Sequence, residues 1–301
     1  MIVLPREESM REAMLTAAVR RGFLEFQDEL IRVQQGLVGE FYVDRQWDDM
    51  RLHEPYFLLH DFQTPSHQID TIFLCNKFLL ILEIKNIVGH IEIDSTTHQF
   101  TRKLKDGTVQ GFRNPLNQAQ RHQRMLAQCI PMLPILYVVV LAHPKTVIER
   151  IPQNAPIIHS SGLEFYVREL LSSFPPLLTN EQLDQLLQQL LQMQVSLKPK
   201  LNTDVSLMRG GVLCHHCTGQ MHYQHGYFIC SACVLKDDGT LLRRALSDYW
   251  LLVDEWISNG QFRTFLGIDS IHAAKRLLKK LGLPYTGEKR FRKYHILWNR
   301  Q

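Results

Sequence analysis

The chain is 301 residues long, 45% hydrophobic and 21% charged, with a formal net charge of +4, ordinary globular material with room for two or three folded units. No apolar stretch approaches the roughly 20 residues of a membrane-spanning helix, and the opening Met1-Ile-Val-Leu-Pro-Arg-Glu-Glu lacks the shape of a signal peptide, so a cytoplasmic protein with no membrane partner is expected. The charge is uneven: residues from Leu241 onward carry 12 Lys+Arg against 5 Asp+Glu, which leaves the rest net acidic and makes the basic end the better candidate for a polyanion.

Taken in chain order, residues 8–42 read as helical, with Leu30, Val33, Leu37 and Phe41 near helical spacing. Gly36 and Gly39 share a side where another backbone can approach closely, and Glu40 sits beside that smooth patch, either as a surface glutamate or as part of a site. Tyr56–Phe62 reads as a strand. Next come two apolar runs, Thr71–Leu74 and Phe78–Ile84, flanking a polar Asn76-Lys77 turn, which gives strand, tight turn and strand.

Gln68-Ile69-Asp70 opens that pair and Glu83-Ile84-Lys85 closes it. Side chains alternate along a strand, so Glu83 and Lys85 point one way and Ile84 the other, into the core. Glu-x-Lys is common on strand edges, but Leu79–Leu82 is apolar on both faces, and charges on such a strand are costly unless paired or metal-bound. Asp70 and Glu83 as hard oxygen ligands, with Lys85 near an attacking water, form a minimal set for holding Mg²⁺ beside a phosphodiester.

His90–Asp94 with Gln99–Leu104 suggests a further hairpin. Asn114-Pro115 is a helix start, with Asn as N-cap and Pro at the first helical position. The helix that follows carries Gln118, Arg121, His122 and Arg124; the arginines suit either a solvated face or a phosphate backbone, and a lone His122 on a polar helix is usually surface. Ile135–Leu141 reads as a central strand, Ile157-Ile158 as a short one and Gly162–Ser172 as a helix. Leu183, Leu186, Leu187, Leu190 and Leu191 define an amphipathic helix capped by Thr179 or Asn180. Alternating strands and helices argue for an α/β fold with a mixed central sheet flanked by helices.

The stretch from about Gly36 to about Pro144 resembles the nuclease-related domain, a branch of the PD-(D/E)XK or restriction-endonuclease-like superfamily. The matching residues are Gly36, Gly39-Glu40, Gln68-Ile69-Asp70, Glu83-Ile84-Lys85-Asn86 with Gly89, and Asn114-Pro115 with Gln118. The resemblance implies a catalytic core of Asp70, Glu83 and Lys85, with Glu40 as an acidic helper and Gln118 as a polar helper on the following helix. It implies Mg²⁺ or Mn²⁺ at Asp70 and Glu83.

After the Lys198-Pro-Lys200 linker, Cys214-His-His-Cys217 and Cys230-Ser-Ala-Cys233 form two C-x2-C pairs at a spacing suited to one structural Zn²⁺, with Tyr223–Ile229 as a hairpin between them. This resembles a zinc ribbon. Paired disulfides, or a ligand from His215, His216, His222 or His225, are the competing arrangements, and Cys75 and Cys129 read as buried thiols.

Beyond it, Leu241–Ser258 reads as a helix, Gln261–Leu266 as a short helix, Ser270–Leu281 as a basic amphipathic helix, and Tyr285–Ile296 as a basic hairpin. Together they resemble a winged-helix DNA-binding domain, with Lys275, Arg276, Lys279, Lys289, Arg290, Arg292 and Lys293 against phosphates. The expected organisation is a helical extension (1–35), a nuclease-related domain with trailing helices (36–197), a linker (198–210), a zinc ribbon (211–238) and a winged-helix-like domain (239–301). The expected function is metal-dependent hydrolysis of nucleic acid, DNA rather than RNA; the alternative is a catalytically silent nucleic-acid-binding adaptor on the same fold.

Overall fold

Ile2–Leu4 forms strand β1, and two helices follow, α1 (Met10–Arg20) and α2 (Gln27–Asp49). In this computed structural model, which describes residues 1–94 and 96–298, the continuous helix expected over residues 8–42 is broken at Gly22. Gly22 takes φ +104°. Its N–H bonds Val19 O (3.1 Å) and Phe23 N–H bonds Ala18 O (3.0 Å), a closure that needs a residue free to adopt positive φ. The chain forms two compact units: Met1–Glu7 with Val33–Leu197, and Glu8–Arg32 with the residues from Lys198 onward.

The first unit continues with β2 (Tyr56–Gln63), β3 (Gln68–Cys75), β4 (Leu79–Lys85), β5 (Gly89–Ile93), β6 (Phe100–Lys103), β7 (Val109–Phe112), α3 (Pro115–Cys129), β8 (Ile135–Leu141), β9 (Thr146–Arg150), β10 (Ile157–His159), α4 (Leu163–Ser173) and α5 (Asn180–Met193). Its main sheet has the order β1-β2-β3-β4-β8-β10. β2, β3 and β4 are antiparallel, while β1 on β2, β8 on β4 and β10 on β8 are parallel, so the mixed sheet expected from the sequence is what forms. A second sheet, β7-β6-β5-β9, has the expected hairpin at its centre. Val109–Phe112 is short and mostly exposed, without the alternation that would have marked it as a strand.

Side-chain alternation sorts β4 onto two faces. Leu80, Leu82 and Ile84 pack with Val43 and Trp47 of α2 and Leu163 and Val167 of α4; Leu79 and Ile81 pack with Leu126 of α3 and Leu183, Leu187 and Leu190 of α5. Helices therefore cover both faces, which explains why β4 and β8 read as unbroken apolar runs. The helix starts follow the sequence signals. Asn114 Oδ1 accepts from Leu116 N–H at 3.0 Å, and Thr179, not Asn180, caps α5 in a capping box with Gln182.

The buried row of α2 in this unit is Gly39, Val43 and Trp47; Phe41, expected inside, is 43% exposed. The shift follows from Gly39, where an added Cβ would lie 2.4 Å from Asn86 Cβ and 3.3 Å from Ala142 Cβ, so α2 is docked through its missing side chain. Gly36 does not share that role, since its nearest neighbour would be Glu40 Oε1 at 4.0 Å. Gly39→Ala is expected to cost about 1–3 kcal/mol by overpacking. Gly36→Ala is expected to be neutral or to stabilise by up to ~1 kcal/mol through helix propensity. Urea unfolding of the two variants tests the contrast.

In the second unit, Arg21 and Asp248, 1% and 2% exposed, form a buried ion pair at 2.8 Å, and Arg21 Nη1 also donates to Gly211 O at 2.7 Å. The elements are β11 (Val212–Leu213), β12 (Gln220–Gln224), β13 (Tyr227–Cys230), α6 (Thr240–Leu252), β14 (Trp256–Ser258), α7 (Asn259–Leu266), α8 (Ile271–Leu281), β15 (Tyr285–Thr286) and β16 (Lys293–His295). β12 and β13 turn through His225 and Gly226, both at positive φ, the pattern of a tight two-residue hairpin.

The helix expected through Ser258 stops at Leu252. Asp254 Oδ1 takes Trp256 N–H at 3.0 Å, and Trp256–Ser258 becomes a strand against β16, because Ser258 is needed as the N-cap of α7. The order is helix, strand, helix, helix, hairpin, with the three-stranded sheet β14-β16-β15. Met221 and Phe228 of the ribbon share one core with Leu242, Leu246, Phe262 and Leu277. Residues 299–301, the end of the expected basic segment, lie outside the described residues.

Candidate active site and metal centre

The pairing of β3 with β4 runs from Leu74↔Leu79 to Thr71↔Leu82 and stops one residue short of Asp70 and Glu83. Where the ladder ends, the Asp70 side chain takes over: Oδ2 accepts from Ile84 N–H at 2.6 Å. Glu83 continues the row of Leu79 and Ile81 on the α3 face and is fully buried. Lys85, next in that row, places Nζ 2.5 Å from Glu83 Oε1. Asp70, Glu83 and Lys85 are thus brought together at the edge of the main sheet.

Electrostatics follow from the burial. Burial first, then the Asp70 charge, pushes Glu83 up to about 8, with Lys85 opposing. Burial likewise raises Asp70, against the pull of Lys85 and the Ile84 amide. Lys85 is raised in spite of its burial, because Glu83 and Asp70 hold its proton. The carboxylates thus lack enough positive charge, and Glu83 Oε2 is buried with no hydrogen-bond partner. A divalent cation fits both facts, since hard carboxylate oxygens are what Mg²⁺ and Mn²⁺ take as ligands.

Glu40 lies on α2, raised to about 7 by burial and by Asp70. Its carboxylate is held by Arg6, whose Nε also donates to Asp44 Oδ2 at 2.7 Å and whose Nη2 donates to the Asp70 carbonyl at 2.8 Å. Arg6 was not legible as a site residue. Its partners lie 34 to 65 positions away, and the only local signal is an arginine two residues after the end of a short apolar strand.

Gln118 is half-buried on α3, one turn before His122, so the two share a helix face. His122 is not the surface residue expected. It is 5% exposed, its Nε2 lies 3.7 Å from Glu83 Oε2, and its Nδ1 is 3.0 Å from His67 Nδ1. Burial and the neighbouring His67 lower it to about 4, so it is neutral at physiological pH.

Residues 35–142 match the nuclease-related domain. The match agrees with the span of the resemblance, and Glu40, Asp70, Glu83, Lys85, Gln118 and His122 all fall inside it, while Arg6 precedes it. No curated protein and no solved structure matches the chain. The match points to a nuclease-related function and to nucleic-acid binding for this part of the chain.

The second centre lies in the ribbon. Cys214, Cys217, Cys230 and Cys233 place their sulfurs within 4.8 Å of one another, the only such group of three or more His, Cys, Asp or Glu among the described residues. Pairwise separations of 3.3, 3.5 and 3.9 Å bracket the edge of about 3.8 Å expected for four sulfurs around one Zn²⁺ at ~2.3 Å. They exceed the disulfide bond length of about 2.05 Å, and all four cysteines are free. No histidine joins them, and His215, His216, His222 and His225 are exposed.

The two C-x2-C pairs fold alike. Thr218 N–H bonds Cys214 O and Val234 N–H bonds Cys230 O, and both Thr218 and Val234 take positive φ. Amide donors from Cys233 and Ala232 pull the Cys230 thiol down to about 6, while burial and the neighbouring sulfurs push Cys233 up to about 12, so the four sulfurs do not ionise alike. The cluster fits a structural zinc. Cys75 is buried as expected, whereas Cys129 at the end of α3 is exposed.

Lys275, Arg276 and Lys279 lie exposed on α8, with Lys289, Arg290 and Lys293 exposed on the hairpin. Arg292 is half-buried, its guanidinium 4.1 Å over the Tyr285 ring. No described helix is long and apolar enough to cross a membrane.

Proposed function

We propose that the first unit hydrolyses DNA phosphodiester bonds with Mg²⁺ or Mn²⁺. The observation that supports this most is the buried Glu83 carboxylate, one oxygen on Lys85 and the other without a partner, at the point where β3 and β4 part. Asp70 and Glu83 would hold the cation. A bound divalent ion lowers the pKa of its water and polarises the phosphoryl oxygen.

The chain's own residues do the rest. Lys85, kept protonated by the two carboxylates, stabilises the negative charge that develops on the phosphate. Arg6 ties Glu40 and the Asp70 backbone into one frame, which makes Glu40 a residue that positions Asp70 as well as an acidic neighbour. His122, neutral on α3, lies 3.7 Å from Glu83 Oε2 and would flank the bound cation, and Gln118, one turn earlier on the same helix, would assist. The ribbon and the winged-helix-like segment would add phosphate contacts through Lys275, Arg276, Lys279, Lys289, Arg290, Arg292 and Lys293.

Incubation of the purified protein with plasmid and linear DNA should give cleavage with Mg²⁺ or Mn²⁺ and none without added metal. Lys85→Ala is expected to reduce the rate at least 100-fold, the range typical of losing one electrostatic stabiliser. Absence of metal-dependent cleavage, with binding retained, would leave the silent adaptor as the correct reading.

A further inference from the structure

Helix α3 carries a second set of side chains beside the one that reaches Glu83. Arg113, Asn114, Asn117, Gln120, Arg121 and Arg124 line an open groove of about 430 Å³. Asn117, Gln120, Arg121 and Arg124 fall at i, i+3, i+4 and i+7, so they form one stripe along the helix.

Asn114 is spent on capping α3 and on His98 O, and Gln120 donates to the Tyr137 hydroxyl at 2.9 Å, so these two build the wall. Arg113, Arg121 and Arg124 are exposed, and none of them forms an ion pair among the described residues. The lining holds no carboxylate and no aromatic ring. Three uncompensated guanidinium groups on an open surface suit a run of phosphates. With no ring for a base to stack on, contact there is to the backbone and carries no sequence information.

The groove and the carboxylates are served by the same helix: Arg121 lines the groove and directly precedes His122, whose Nε2 lies 3.7 Å from Glu83 Oε2.

We infer that this groove is a sequence-independent seat for the sugar–phosphate backbone of a nucleic acid, holding the strand next to Asp70 and Glu83. The inference rests on the nuclease reading for its consequence in turnover, while binding tests it separately.

The test uses the full chain with Glu83→Gln, fluorescently labelled single-stranded and duplex oligonucleotides of unrelated sequences, and anisotropy over a salt series. Replacing Arg113, Arg121 and Arg124 together by Gln is expected to weaken binding at least 10-fold for every sequence. It should also flatten the slope of log affinity against log salt by roughly 0.7–0.9 per lost phosphate contact. In the protein that retains Glu83 the same triple change should raise KM and leave kcat nearly unchanged.

An unchanged affinity and salt slope would overturn the inference, as would loss confined to Lys275→Gln, Arg276→Gln and Lys279→Gln on α8, or no binding of any oligonucleotide by the parent. Groove-dependent binding without metal-dependent cleavage would uphold the groove and sink the nuclease reading. Cleavage with an unchanged KM in the triple variant would do the reverse.

Discussion

Cys230→Ser is expected to empty the four-sulfur centre and to lower the melting temperature of the second unit by on the order of 10 °C or more. Structural zinc contributes apparent binding free energy of about 10–16 kcal/mol in small domains, and that energy is folding energy because no such site exists in the unfolded chain. Each kcal/mol lost shifts the midpoint of a domain of this size by roughly 2–4 °C, so even a partial loss is visible. The loss also spreads. Cys214 and Cys230 belong to the same buried cluster as Leu242, Leu246 and Phe262, so releasing the ribbon exposes the base of α6 and α7. Zinc content by elemental analysis and the thermal midpoint should fall together in Cys230→Ser. In His216→Ala both should stay at wild-type values, because that imidazole is exposed and outside the cluster. Retention of one zinc per chain in Cys230→Ser, or its loss in His216→Ala, would show that the ligand set is wrong.

The sequence made some of this architecture legible and hid the rest for reasons of distance. Glu83 stood out because it follows an apolar run on a strand buried on both faces, and Asp70 because it opens the apolar run paired with that strand, both visible within a few residues. The cysteine pairs stood out because metal spacing is local. Gly22 is legible too: Arg20-Arg21-Gly22 is a helix stop, although apolar periodicity alone runs one helix over residues 8–42. Arg6 was not legible, since its value comes from Glu40, Asp44 and Asp70 arriving around it from α2 and β3. His122 reads as surface because which side of α3 is buried depends on how that helix docks on β4. Polar residues on a docked face do not advertise it in a hydrophobic pattern. Trp256–Ser258 reads as part of a helix because three residues form a strand only once β16 supplies the partner.

The carboxylate cluster makes a further demand on the metal-free protein, and its sign can be worked out. Glu83 titrates near 4.5 when exposed and is pushed up to about 8 in the fold; Glu40 moves in the same direction to about 7, and Asp70 is also raised. Between about pH 5 and pH 8 the native state therefore keeps protons that the unfolded chain has released. The unfolded state binds fewer protons, so stability falls as pH rises through this window and levels off above it. The size is on the order of a few kcal/mol, because a tenfold change in proton affinity corresponds to about 1.4 kcal/mol and the three carboxylates share the strain. Glu83→Gln removes the ionising group while keeping its shape, so it should flatten most of the decline and leave the variant more stable than wild type at pH 8. The same variant should lose metal-dependent cleavage. Millimolar Mn²⁺ should raise the wild-type midpoint at pH 8, where the carboxylates are free to bind it, and raise it little at pH 5, where they hold protons instead. The measurement is a set of thermal or urea unfolding curves across pH in Mg²⁺-free buffer with zinc left in place, for wild type and Glu83→Gln. A wild-type midpoint that does not fall between pH 5 and 8, or a Glu83→Gln decline as steep as wild type, would mean that Glu83 is satisfied without a cation. The unpartnered Oε2 would then no longer argue for a metal beside Asp70.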